Sequence, residues 1–249
     1  MSGVWTIYRR ELVGLFLGPL AWVLLALALA LNGYFFTYYL AATGGDVNYA
    51  MQLASGNSLL WWTLMCLLPP LITMRMISEE ARTGTLEFLL TAPVRDGAVV
   101  LGKLLAATSL MAVLWCGNVV YALALASLGA APDWGPVWTS LLGAVLASGL
   151  FCGIGLVTSA GTGTPLLAAF LALCANLALL TLPFVRGLLV LPPEHPFLAF
   201  LRHVDVVGQV QSSFLLGVLD SQHVCFFLAG IALCAVLATR LVEMRRWSA

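Results

Sequence analysis

Eight ionisable residues crowd into one stretch of a chain that otherwise carries few: Arg75, Glu79, Glu80, Arg82, Glu87, Arg95, Asp96 and Lys103. Their spacing sets up no catalysis. The sequence holds no H-E-x-x-H pair, no G-x-S-x-G elbow and no paired acids within an apolar run, so an intramembrane hydrolase has no residues to work with. The turn Gly161-Thr-Gly163-Thr-Pro165 lacks the lysine of a phosphate-binding loop and reads as a tight turn, so no nucleotide site is expected in this chain. His195, His203, Asp205 and His223 are of types that hold copper or zinc, but they match no standard spacing. Solvated or hydrogen-bonded loop residues are the favoured reading, with no metal. What remains for the charged stretch is recognition of a surface.

Its local pattern supports that. Ser78 can cap a helix whose first turn places Glu79 and Glu80 at the positive end of the dipole, and Glu79 can pair with Arg82. Gly84 permits a bend. After Thr85, Leu86, Leu89 and Leu90 recur at i, i+3 and i+4 around Glu87, and Pro93 ends this second helix. Burying three leucines at ~1.5–3 kcal/mol each would grip a partner's groove firmly. The alternative is a helix lying on the membrane surface.

The elements that must hold this stretch are membrane spans. The chain is 61% apolar and 9% charged, against roughly 25% charged in soluble domains, and no soluble domain fits in it. Six apolar runs approach the ~20 residues a spanning helix needs: Pro19–Leu40, Leu59–Thr73, Leu104–Leu128, Val137–Thr158, Pro165–Pro183 and Val224–Thr239. The second is short. Phe197–Val218 carries Arg202, His203, Asp205, Gln209 and Gln211 and reads as interfacial or re-entrant. With six spans nearly all Lys and Arg fall on one side, which predicts both termini in the cytoplasm and the 184–223 segment outside.

Before the first span, Val4–Phe16 reads as an interfacial helix with Trp5, Tyr8, Leu12 and Leu15 on one face and Arg10 and Glu11 pointing away. Tyr34, Tyr38, Tyr39, Trp61 and Trp62 suggest an outer aromatic belt. Gly143, Gly149, Gly153 and Gly155 place the fourth span at the centre of the bundle. Asn32, Asn118 and Asn176, inside apolar runs, are helix-to-helix contacts or the lining of a translocation path. The six cysteines form no C-x-x-C pair and read as packing residues. Zero net charge argues against nucleic-acid binding.

The run SEEARTGTLEFLLTAPVRDGAVVLGK, with its E-E-x-x-x-G-T-L-E-x-L-L-x-x-P-V core, resembles the loop between the second and third spans of ABC-2-type permeases, nearest the GldF/NosY-like branch of gliding-motility and nitrous-oxide-reductase accessory proteins. An interfacial helix with Arg9, Arg10 and Glu11, six spans, an outer segment ending Phe214-x-x-Gly217-Val218-x-Asp220 and a Glu243-x-Arg245-Arg246 tail extend the resemblance over most of residues 1–249. It implies an all-α polytopic fold with a cytoplasmic coupling loop over 75–103. Glu79, Glu80, Gly84, Thr85, Leu86, Glu87, Leu89, Leu90 and Pro93 would dock on a separate ABC ATPase subunit, present in two copies and supplying the ATP and Mg chemistry. It also implies a second permease chain, identical or not, room for an accessory extracytoplasmic protein, contact with membrane lipid, and an outer gate near Phe214 and Gly217. The expected function is an exporter permease in the inner membrane. The alternative is the anchor of an ATPase-driven assembly or motility complex that moves no conventional solute.

Overall fold

Pro19 at the first turn of one helix, Asp46, Ser58 and Asp133 at the caps of three others, and glycine or proline at the breaks set where the apolar runs start and stop. The computed structural model describes residues 2–84, 95–188 and 201–248. Helix α1 covers Ser2–Leu17 and α2 Pro19–Ala42. Then come α3 Val47–Ser55, α4 Leu59–Thr73 and α5 Ser78–Arg82. Helices α6 Asp96–Ser127, α7 Trp134–Gly161 and α8 Pro165–Leu188 follow. The chain closes with α9 Val206–Ser212, a 3₁₀ turn Phe214–Leu216, and α10 Ser221–Ser248. No strand occurs among the described residues. Among the described residues six helical runs are long and apolar enough to cross a membrane: Pro19–Ala42, Val47–Arg82, Asp96–Ser127, Trp134–Gly161, Pro165–Phe184 and Ser221–Arg245. The protein is an all-α, multi-pass membrane protein. The described part of the 197–218 segment is built from short helices rather than a seventh span.

The second span gains its length from its neighbours. Alone, α4 has 15 residues, about 22 Å at 1.5 Å per residue, but α3 precedes it and α5 follows it in one helical run. The sequence reading left α3 out. Its signals are local: the Asp46 carboxylate accepts from the Asn48 and Tyr49 amides, and Val47, Ala50, Met51 and Ala54 recur at i, i+3, i+4 and i+7, with the last three buried.

Helix α7 is the hub, packing against α4, α6, α8 and α10. Its small residues allow this. A β-carbon on Gly149 would lie 2.8 Å from Ile231 of α10, and one on Gly153 would lie 2.8 Å from Cys234. The Gly149–Gly153 face is therefore filled within the chain. Gly155 lets α4 approach, since an added carbon would come within 2.1 Å of the Thr73 hydroxyl.

Two expectations about the aromatics and α1 are corrected. Trp61 and Trp62 are buried, Trp61 packing at 4.9 Å from Trp115, so they are core rather than belt; Tyr34 and Tyr38 are exposed as a belt requires. On α1, Trp5 faces outward while Ile7 is buried against Gly102, and Glu11 turns inward with Tyr8, Leu12 and Leu15. Arg10 remains exposed.

Candidate functional site

The charged stretch begins at the turn between α4 and α5, and two anchors hold that turn. The Ser159 hydroxyl of α7 accepts from the backbone amides of Ile77 and Ser78, at 3.2 and 3.1 Å, and donates to the Met74 carbonyl at 3.1 Å. One buried hydroxyl thus satisfies three backbone groups that neither helix can pair. Ser78 does not cap α5 as expected; Ile77 occupies the cap position, and the Ser78 hydroxyl donates back to the Met74 carbonyl.

The second anchor is ionic. Lys103 of α6, buried to 1% exposure, donates to the Glu80 carboxylate at 2.9 Å and to the Glu11 carboxylate at 3.1 Å. Arg10 reaches Glu11 at 2.8 Å and Glu80 at 3.7 Å. Two acids and two bases from α1, α5 and α6 so form one neutral cluster. A charge this deep is tolerated only with partners of opposite sign in contact. Sequence reasoning counted Lys103 as loop charge and sent Glu11 outward. The missed signal is the position of Lys103, seven residues inside the helix that starts at Asp96, where an ammonium requires a counter-charge. Glu79 sits by Arg75 at 3.8 Å rather than by Arg82.

Gly84, with φ of +73°, turns the chain away from α5. Thr85, Leu86, Glu87, Leu89, Leu90 and Pro93 lie outside the described residues.

The three asparagines join helices. Asn32 of α2 donates to the Asn118 side-chain oxygen at 3.0 Å, and Asn118 of α6 donates to the Ala54 carbonyl and the Ser55 hydroxyl. Asn176 of α8 donates at 3.4 Å to the carbonyl of Cys66 on α4. That carbonyl needs an outside donor because its helical partner, four residues on, is Pro70, which has no N–H.

At the far end from the charged cluster, α9 lies over the bundle. Asp205 caps it through the Gly208 amide at 2.8 Å, Gln209 donates to the His203 carbonyl, and His223 meets Gln209 at 3.3 Å. Among the described residues no group of three His, Cys, Asp or Glu side chains is placed to hold a metal; His195 lies outside them. Phe214 is fully buried between Gly143 of α7 and Phe227 of α10, and Gly217 closes the 3₁₀ turn with φ of +82°. The six cysteines are free thiols, Cys66, Cys152 and Cys234 buried and Cys116, Cys174 and Cys225 on exposed helix faces.

Residues 16–160, the stretch from the end of α1 almost to the end of α7, match the family model described as "ABC-2 family transporter protein". No curated protein matches the sequence.

Proposed function

The chain belongs to the ABC-2 transporter family and is a membrane permease, and from that premise we propose that it is the transmembrane half of an exporter driven by a separate ATPase subunit that docks on Glu79–Pro93. The observation that carries this reading is the anchoring of α5. Through Ser159, Lys103 and Glu11 the segment leading into the docking loop is tied to α7, α6 and α1. A displacement imposed just beyond Thr83 would be delivered to helices spanning the membrane rather than absorbed in a slack loop. That is what coupling to an ATPase requires, since packed interfaces switch as units instead of deforming.

In this reading the basic end faces the cytoplasm of a cell with an inner membrane, as the concentration of Lys and Arg there favours. Two permease chains and two ATPases make the working unit. The Pro165–Phe184 helix is mostly unburied by the described residues of its own chain, leaving a face for a second permease chain. The outer short helices, with Phe214 and Gly217, cap the path. The loop and tail motifs support the GldF/NosY-like branch.

The test is a mild-detergent pull-down of the tagged chain with mass spectrometry of its partners and an ATPase assay. The wild type is expected to bring a nucleotide-binding subunit. Leu86→Asp/Leu89→Asp is expected to lose it while still inserting in the membrane. Unchanged recovery of the ATPase with the double variant overturns the docking assignment.

A further inference from the structure

We propose that the cleft between α1–α2 and α4–α5 at the basic end binds one zwitterionic phospholipid with an ethanolamine headgroup. The inference does not depend on ATPase docking; it needs only that the six spans sit in a bilayer.

The cleft has a volume of about 700 Å³ and is divided by chemistry along its depth. On its floor Lys103, Glu11 and Glu80 are closed on one another. At its mouth stand Arg10, Arg75 and Glu79, with side chains 54%, 60% and 41% exposed. Leu15, Leu20, Leu71, Ile72 and Met76 form an apolar wall, and Gly14 and Thr83 complete the lining. Leu20 and Leu71 belong to α2 and α4, which are membrane spans, so this wall continues into the hydrocarbon region.

These parts match the successive parts of a phospholipid. A guanidinium carries five donors in a planar fork, and the carboxylate contacts run to Nη2 in Arg10 and to Nε in Arg75. The other nitrogens suit phosphate oxygens, which arginine grips bidentately. Glu79 stands beside Arg75 at 3.8 Å, close enough for an ammonium next to the phosphate to reach its carboxylate. An ethanolamine ammonium donates hydrogen bonds to a carboxylate, whereas a choline's methylated nitrogen cannot. The acyl chains would lie along the leucine wall, where burial of methylene groups is favourable. A phosphorylated protein segment would match the arginines but not a wall that opens into the membrane.

The experiment is native mass spectrometry of the full-length chain in mild detergent, titrated separately with dioleoyl phosphatidylethanolamine, phosphatidylcholine and phosphatidylglycerol. Wild-type protein is expected to retain one phosphatidylethanolamine per chain about tenfold more tightly than phosphatidylcholine. Arg10→Gln/Arg75→Gln should lose that preference, as should Glu79→Gln, which leaves the buried cluster intact and so keeps the test sound if the double variant folds poorly. Arg240→Gln, at the same end but outside the cleft, should retain it. Equal retention of ethanolamine and choline lipids by the wild type, or a preference that survives Glu79→Gln and the double arginine change, overturns the proposal. Preference for phosphatidylglycerol overturns the role given to Glu79.

Discussion

Replacing Lys103 with methionine removes an ammonium while keeping an unbranched side chain of similar reach. The lysine is 1% exposed, and the carboxylates of Glu11 and Glu80, 16% and 23% exposed, would lose the ammonium that stands 3.1 and 2.9 Å from them and face an uncharged methyl one atom further back. Removing one partner from a buried ion pair costs ~3–5 kcal/mol. Two features favour the low end: each carboxylate keeps some water, and Arg10 remains at 2.8 Å from Glu11 and 3.7 Å from Glu80. The expected loss is therefore about 3 kcal/mol. Denaturant unfolding in mixed micelles, followed by tryptophan fluorescence, measures it. Arg240→Met provides the comparison, because the exposed Arg240–Glu243 pair is worth ~0–1 kcal/mol. A triple variant, Glu11→Gln/Glu80→Gln/Lys103→Met, removes all three charges of the triad and should recover to within about 1 kcal/mol of the wild type. If Lys103→Met costs no more than Arg240→Met, or the triple variant is less stable than the single, the cluster does not hold α1, α5 and α6 together.

Two further substitutions test the helix contacts. Asn176→Leu withdraws the donor to the Cys66 carbonyl and should cost about 1–2 kcal/mol; in a Pro70→Ala background, where an N–H is restored within α4, the same change should cost much less, and equal costs in both backgrounds would refute the account. Gly155→Ala drives a β-carbon against Thr73 and should destabilise by about 1–3 kcal/mol, part of which Thr73→Ala recovers, as thermal unfolding of the three variants in detergent would show.

Much of the fold is legible in the sequence because its causes are local. A span is a length of apolar residues, and its ends are marked by the residues that cap or break a helix. The limits Leu59–Thr73 for α4 follow from the length of its apolar run, and the start of α8 at Pro165 from the Gly161–Pro165 turn. The centrality of α7 was legible too, since small residues every four positions have a direct steric meaning. Helix α3 was legible in principle, its capping aspartate and four-residue spacing being present, but it is too short to register as a span.

Lys103, Glu11 and Glu80 belong to the other kind. Glu11 lies 92 residues from Lys103 in the chain, and no spacing rule relates them. The same holds for Ser159, whose hydroxyl serves amides 82 and 81 residues away. Composition and periodicity determined six apolar runs suited to crossing a membrane, with the charge gathered on one loop and at one end. Which acid faces which base was decided only when α1 and α5 packed on α6, because a buried charge takes its partner from whatever the tertiary fold brings within contact distance, not from its neighbours in the sequence.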